Sequence, residues 1–300
     1  MKKVWFITGS SKGLGKSLTA AVLESGDYVV ATARNPEQLN NLAEKFPDQM
    51  LALPLDVSDH LQIHTAVVQA LAHFGRIDVL VNNAGFGITG AAEAFTNEQV
   101  RSQLEVNLYA PIEVTRAVLP GMRKQRSGHI LQISSVGGRV GNAGLSMYQA
   151  AKFGLSGFSE ALSKEVAPLG IKVTSIEPGG FRTDWAGASM SFAEDIEGYE
   201  ESVGGIKQYL QSGHFVPVGD PDKAAQVMVD LVAHPEPPVH LVLGSEAATI
   251  LKSADERRKA EFEKWLPVSR STDHDDASDM FGSDEGRKFL SQKGIFPKDK

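Results

Sequence analysis

Residues 4–18 read Val4-Trp5-Phe6-Ile7-Thr8-Gly9-Ser10-Ser11-Lys12-Gly13-Leu14-Gly15-Lys16-Ser17-Leu18. A short apolar run enters a glycine-rich turn. The turn opens into a helical period, with Leu14, Leu18, Ala21 and Val22 on one face. Strand, glycines and helix start are the parts of a dinucleotide turn. Gly9 lets the chain turn tightly. Gly13 lets backbone approach a pyrophosphate at the helix N-terminus, and Gly15 lets helix and strand pack closely. The spacing is G-x-x-x-G-x-G rather than G-x-G-x-x-G. Gly15-Lys16-Ser17 lacks the glycine five residues earlier that a triphosphatase loop requires.

The same alternation continues outward. Further strands are predicted at Tyr28–Thr32, Leu51–Leu55, Val79–Asn82, His129–Ser134, Lys172–Ile176 and Val239–Leu243, after Val4–Thr8. Helical periods such as Ile63, Val67, Ala70 and Leu71 separate them. Strand–helix alternation predicts βαβ units, and right-handed crossovers give a doubly wound α/β Rossmann fold. The expected sheet has seven mostly parallel strands with helices on both faces, in one domain over residues 1–245. Residues 185–215 break the pattern without a clear strand and mix Gly with Trp185, Met190, Phe192, Tyr199, Tyr209 and Phe215, as a lid over a ligand would; the plainer alternative is a surface helix pair. Residues 246–300 form a C-terminal helix and extension. The helix is expected to reach Trp265, and the polar chain from Pro267 onward is either a loose tail or an arm over a neighbouring subunit.

Composition bounds the function. The chain has 300 residues, 42% hydrophobic and 22% charged, as in an ordinary globular protein. A net charge of −7 argues against a nucleic-acid binder. The absence of cysteine removes thiolate, Fe–S and Cys–Zn chemistry. The eight histidines show no HExxH or paired-ligand spacing, so no catalytic metal is expected. The apolar run after Met1-Lys2-Lys3 is too short for a secretory signal, and no stretch is long enough to span a membrane. The expectation is a cytoplasmic protein.

Two loops speak to the ligand. Strand 2 ends Thr32-Ala33-Arg34-Asn35, with no carboxylate for a ribose 2′-hydroxyl and a cation in its place. Arg34 and Lys12 together suit a 2′-phosphate, so NADP(H) is the expected cofactor. Asp56, after strand 3, is placed either to hydrogen-bond the adenine or to start the next helix. Tyr148-Gln149-Ala150-Ala151-Lys152 sets a phenol and an ammonium on one helix face. A cation there would lower the phenol pKa towards acid–base use. Ser134 and Ser135 end one strand, Asn82-Asn83-Ala84-Gly85 another, and Pro178-Gly179-Gly180-Phe181-Arg182-Thr183 a third. All would open on one crevice at the carboxyl edge of the sheet.

TGSSKGLG at 8–15, NNAG at 82–85, VNLYA around Asn107, Ser135 before VGG, YQAAK at 148–152 and PGGFRT at 178–183 occur in order. Through these motifs the chain resembles the short-chain dehydrogenase/reductase family over about residues 3–245, nearest to bacterial relatives of 17β-hydroxysteroid and retinol dehydrogenases. The resemblance implies Tyr148 as general acid/base, Lys152 as its pKa modulator and ribose ligand, and Ser135 as the group that polarises a carbonyl. It implies that Asn107 kinks its helix and holds a relay water. It assigns cofactor contacts to Gly9, Ser11, Lys12, Gly13, Leu14 and Gly15, to Arg34, Asp56 and Val57, to Asn83, Ala84 and Gly85, and to Tyr148, Lys152, Pro178, Gly179 and Thr183. The expected reaction is hydride transfer between NADPH and a ketone or aldehyde, or the reverse from an alcohol. The substrate would be small and largely apolar, walled by Phe86, Val136, Leu145 and Trp185. The alternative is a non-catalytic NADP(H)-sensing regulator on the same fold. Helices near 97–125 and 147–168 resemble those that pair subunits in the family, implying a homodimer or homotetramer.

Overall fold

The computed structural model describes residues 2–183, 189–205, 207–208, 212, 216–275 and 282–293. Seven strands form one sheet: β1 (Val4–Ile7), β2 (Tyr28–Ala33), β3 (Met50–Pro54), β4 (Val79–Asn82), β6 (Gly128–Ile133), β7 (Ile171–Pro178) and β9 (His240–Leu243). Their order is β3-β2-β1-β4-β6-β7-β9, and every neighbouring pair is parallel. The strands read as unbroken apolar runs because both faces are covered. Phe6, Val30, Leu80 and Ile130 face one core with Ala110, Val114 and Leu162. Trp5, Ile7, Val29 and Val81 face the other with Leu18, Val22 and Met228. Winding outward in both directions from β1 and β4 opens a crevice at their carboxyl ends.

All seven predicted strands are present, displaced by one or two residues at most ends. Two more were not expected. β5 (Gly87–Thr89) and β8 (Met190–Phe192) pair in parallel as a separate two-stranded sheet. The 185–215 segment therefore does hold a strand. Trp185, Tyr209 and Phe215 lie outside the described residues.

Helices α1 (Gly13–Glu24), α2 (Asn40–Lys45), α3 (His60–Phe74), α4 (Asn97–Leu104), α5 (Ala110–Gln125) and α6 (Ser146–Val166) cover the sheet with the helix Pro221–Ala233. Asp59, not Asp56, caps α3, accepting from Leu61 N–H and Gln62 N–H. Between α4 and α5 the chain widens into a π-helical turn, Glu105–Tyr109, with Asn107 at its centre. Such a turn swells one helical repeat and re-aims the side chains it carries.

The chain divides into two compact units, Met1–Leu251 and Lys252–Lys300. The helix that starts at Ser245 runs through Pro267 to Arg270, beyond the expected end at Trp265. The proline removes one backbone donor, that to the Glu263 carbonyl, and only one turn of helix remains after it. The following chain is not structureless. A helix, Asp284–Gln292, is capped by Ser283, whose hydroxyl accepts from Gly286 N–H at 3.1 Å. Among the described residues no helix is long and apolar enough to cross a membrane.

Candidate active site

The site begins in the loop between β1 and α1. Gly9 and Gly13 hold φ of +70° and +51°, a left-handed backbone that favours glycine. Gly15 is glycine for a different reason. A Cβ there would lie 2.3 Å from both the Gly9 carbonyl and Asn83 Nδ2. Asn83, arriving from the end of β4, donates to the Thr8 carbonyl at 2.9 Å and the Gly9 carbonyl at 3.0 Å. Thr8 Oγ1 in turn accepts from Asn83 N–H and Ala84 N–H. Gly15 thus lets α1 approach the backbone that leaves β1, and makes room for the Asn83 clamp as well. Helix α1 starts with no side-chain cap and no acid in its first turn, so its amides and partial positive charge face outward.

A cavity of about 870 Å³ runs from this turn along the carboxyl edge of the sheet. At one end Lys12, Arg34 and Asp56 line it, with Leu14 and Val57 nearby. Arg34 is exposed just past the buried end of β2. Asp56 closes its own turn, accepting from Ser58 N–H at 3.0 Å and Ser58 Oγ–H at 2.7 Å. Ser11, Asn83, Ala84 and Gly85 line the middle, and Pro178, Gly179 and Thr183 the far wall. Gly15 alone among the predicted cofactor residues is not in the wall; it packs behind it.

At the other end stand Ser135, Tyr148 and Lys152, with Asn107. The two serines that end β6 divide their work. Ser134 Oγ is buried, 2.9 Å from Ser156 Oγ and 3.2 Å from the Lys152 carbonyl it donates to, which fastens α6 to the sheet. Ser135 faces the cavity, accepts from Gly137 N–H at 3.0 Å and is hydrogen-bonded to the Tyr148 phenol. Lys152 Nζ lies 5.7 Å from the Tyr148 ring centre and donates to the Ile133 carbonyl at 2.8 Å. Asn107 Nδ2 donates to the Phe86 carbonyl at 2.9 Å and the Gln103 carbonyl at 3.2 Å. Its Oδ1 is buried without a protein partner. That oxygen sits 2.7 Å from where a Gly85 Cβ would be, and Lys152 Nζ sits 3.7 Å from the same point. Only glycine fits there, and the open acceptor suits a water between Asn107 and Lys152.

Burial overturns one electrostatic expectation. The Tyr148 phenol is pushed up to about 12 by burial, against the hydrogen bond from Ser135, rather than down by Lys152. Lys152 is itself pushed down to about 8 by burial. Burial penalises the charged form of both groups, the phenolate and the ammonium. Burial thus favours the protonated phenol, the form that can give a proton.

Phe86, Val136 and Leu145 are in the wall as expected, joined by Met190 from β8. Two glutamines went unsuspected. Gln149 also lines the cavity; its Oε1 accepts from Asn142 N–H at 2.7 Å and its Nε2 donates to the Val140 carbonyl at 3.0 Å, pinning the loop after Ser135. Gln103, on α4, is fully buried. A lone amide on a helix carries no spacing signal. Its burial between polar backbone groups is visible only in three dimensions.

Comparison with known proteins agrees with this geometry. Residues 3–193 match the family described as short chain dehydrogenase. Oxidoreductase BOA17 of Botryotinia fuckeliana is 46% identical over 270 residues, covering 90% of this chain and 98% of that protein. A crystal structure of a short-chain dehydrogenase from Streptomyces avermitilis superposes with a TM-score of 0.87 at 41% identity, over 91% of this chain and all (100%) of that one. A metagenomic short-chain oxidoreductase solved in complex with NADP superposes with a TM-score of 0.64 at 26% identity, over 80% of this chain and 96% of that one.

Proposed function

The chain belongs to the short-chain dehydrogenase family, and from that premise we propose that it is an NADP(H)-dependent oxidoreductase acting on a ketone or aldehyde, or on the corresponding alcohol. The observation that carries the reading is one cavity with two cations at one end and the Ser135–Tyr148–Lys152 cluster at the other. The residues present fit a dinucleotide. Gly9 and Gly13 bare the backbone of the turn, the α1 N-terminus is uncapped, and no carboxylate stands at the end of β2. Arg34 and Lys12 would hold a 2′-phosphate, and the relative solved with NADP supports that choice. Asp56, Val57 and Leu14 would bound the adenosine half. Asn83, Ala84, Gly85, Pro178, Gly179 and Thr183 would bound the nicotinamide half.

A bound nicotinamide supplies the hydride. The chain supplies orientation and a proton. Ser135 donates a hydrogen bond to the substrate oxygen and favours the negative charge that grows there. Tyr148 Oη gives that oxygen its proton. A phenol held near pKa 12 still transfers a proton downhill to an alkoxide, a far stronger base. Lys152 stabilises the resulting phenolate and, through a water on Asn107 Oδ1, returns a proton from solvent. Met190, from segment 189–193, lines the same cavity, and with Phe86, Val136 and Leu145 it would form an apolar wall for a largely apolar substrate.

NADPH oxidation against a panel of ketones and aldehydes tests the reading, with NADH and Tyr148→Phe as controls. The expected result is turnover with NADPH that falls at least ~100-fold in Tyr148→Phe, while NADPH affinity is retained. Tyr148→Phe turning over at the wild-type rate would overturn it.

A further inference from the structure

Gln103 sits on the last turn of α4, fully buried, and no step above uses it. Both ends of its amide are spent on one stretch of backbone. Nε2 donates to the Phe86 carbonyl at 2.8 Å, and Oε1 accepts from Ile88 N–H at 2.9 Å. These are the bonds a neighbouring strand would offer, because alternate residues of a strand direct their backbone groups to the same edge. The opposite edge of the strand carries the 189–193 segment. Gly87 N–H donates to the Ser189 carbonyl at 3.0 Å, and Ala193 N–H donates to the Thr89 carbonyl at 2.8 Å. β5 is therefore held between the Gln103 amide and the strand that brings Met190 to the cavity wall. The fit is close: a Cβ on Gly90 would lie 2.5 Å from Ala193 Cβ.

The Phe86 carbonyl also accepts from Asn107 Nδ2. That bond, together with the one from Nδ2 to the Gln103 carbonyl, sets which way round the Asn107 amide sits and leaves Oδ1 facing Gly85 and Lys152. One carbonyl thus takes donors from both Gln103 and the relay asparagine. We propose that Gln103 is a positioning residue that couples the docking of segment 189–193 to the orientation of Asn107. The inference rests on the proton-relay reading given above. Without the Gln103 strut, β5 can follow β8, and the Phe86 carbonyl moves away from the donor it holds. A loosened 189–193 segment and a misdirected relay are then two results of one lost amide.

Two variants test this. In Gln103→Glu the protonated side chain keeps a donor for the Phe86 carbonyl and an acceptor for Ile88 N–H. The carboxylate keeps only acceptors and sets an anion against that carbonyl. Gln103→Met matches the length and has neither polar function. The kcat of Gln103→Glu should approach wild type at acid pH and fall at least about tenfold below it as pH rises, as a misplaced relay requires. Gln103→Met should be slow throughout, and NADPH affinity should change by no more than about twofold in either variant, since neither touches the cofactor walls. A purely structural role would lower the melting temperature without giving Gln103→Glu its own pH profile.

Hydrogen exchange of the ligand-free proteins supplies a readout independent of turnover. The amides of Gly87 and Ala193 should exchange faster in Gln103→Met than in wild type. A folded Gln103→Glu that tracks the wild-type pH profile, or unchanged exchange at those two amides, would overturn the inference. Should Gln103→Met fail to fold, Gln103→Glu at acid pH, near-isosteric with the native side chain, carries the test, with exchange compared between acid and neutral pH. Failure of the underlying reading looks different: Tyr148→Phe would keep its turnover, while the exchange result still decides whether the strut exists.

Discussion

Gly15→Ala should cost more than any other single methyl in the glycine turn, and the cost can be worked from distances. The new Cβ would lie 2.3 Å from Asn83 Nδ2 and 2.3 Å from the Gly9 carbonyl. Ordinary contact needs about 3.5 Å, so each partner must retreat by roughly 1 Å. Asn83 cannot retreat and keep its bonds to the Thr8 and Gly9 carbonyls at 2.9 and 3.0 Å. Losing both costs about 2 kcal/mol at about 1 each. Overpacking adds about 1–3 kcal/mol. Alanine's better helix propensity returns about 1 kcal/mol. The net is a destabilisation of about 2–4 kcal/mol, or a fall in melting temperature of roughly 5–15 °C for a domain of this size. NADPH affinity should fall with it, because the displaced carbonyl belongs to the turn itself. Gly75→Ala is the control: its φ of +76° is strained for alanine, but nothing lies within 4 Å, so about 1 kcal/mol and no affinity change are expected. Thermal unfolding and a fluorescence titration with NADPH measure both quantities. If Gly15→Ala melted within about 2 °C of wild type and bound NADPH normally, the clamp would not be what makes this position a glycine.

Further outcomes follow from other sites. Arg34→Glu should lower the NADPH-over-NADH ratio of kcat/KM by about tenfold or more, the lower end for a charge-assisted contact because the side chain is exposed; an unchanged ratio would remove Arg34 from cofactor selection. His129 is buried with Nε2 3.0 Å from Thr174 Oγ1, and burial pushes its pKa down to about 3. The unfolded chain then binds a proton that the folded chain refuses, so stability is unaffected above about pH 6.5 and declines as pH falls from there towards 3, by about 2 kcal/mol at pH 5. Denaturant melts at pH 5 and pH 7.5 should show this loss, and it should shrink in His129→Gln; an equal slope in the variant would refute the assignment. Glu177 is fully buried at the end of β7, 3.3 Å from Arg139 Nη1 and 2.7 Å from His240 Nδ1. Glu177→Ala should destabilise by about 3 kcal/mol, the low end for breaking a buried pair since Arg139 keeps some water. Glu177→Leu combined with Arg139→Met should recover much of that in urea unfolding, and no recovery would mean that the loss lies in the His240 contact.

The seven strands of the main sheet were legible because a parallel strand buried on both faces must be apolar along its length. Val79–Asn82 matches the structure at both ends, and the others are shifted by a residue or two. β5 and β8 were not legible. Gly87-Ile88-Thr89 and Met190-Ser191-Phe192 are three residues each, too short for any period, and they meet across about a hundred residues of chain. Pro267 misled for a related reason. Its effect depends on how many helical residues follow it, and here a single turn remains.

What the sequence determined by itself was which residues meet at the cavity: the glycine turn, the cation at the end of β2, and a serine, tyrosine and lysine at one sheet edge. Residue type and spacing along strands and helices are enough for that, because a doubly wound sheet delivers all its carboxyl ends to one crevice. Tertiary structure alone decided the electrostatics and the supports. Tyr148 reads from sequence as a phenol beside a cation; burial reverses the direction and leaves it near 12. Gly15 reads as a packing glycine; the group it makes room for, Asn83, comes from another strand. Gln103 reads as one more polar helix residue; only the folded chain sets both ends of its amide against one edge of β5, on a carbonyl that Asn107 shares. Desolvation and the pairing of polar groups depend on everything within a few ångströms, and neighbours in space are what a one-dimensional pattern does not carry.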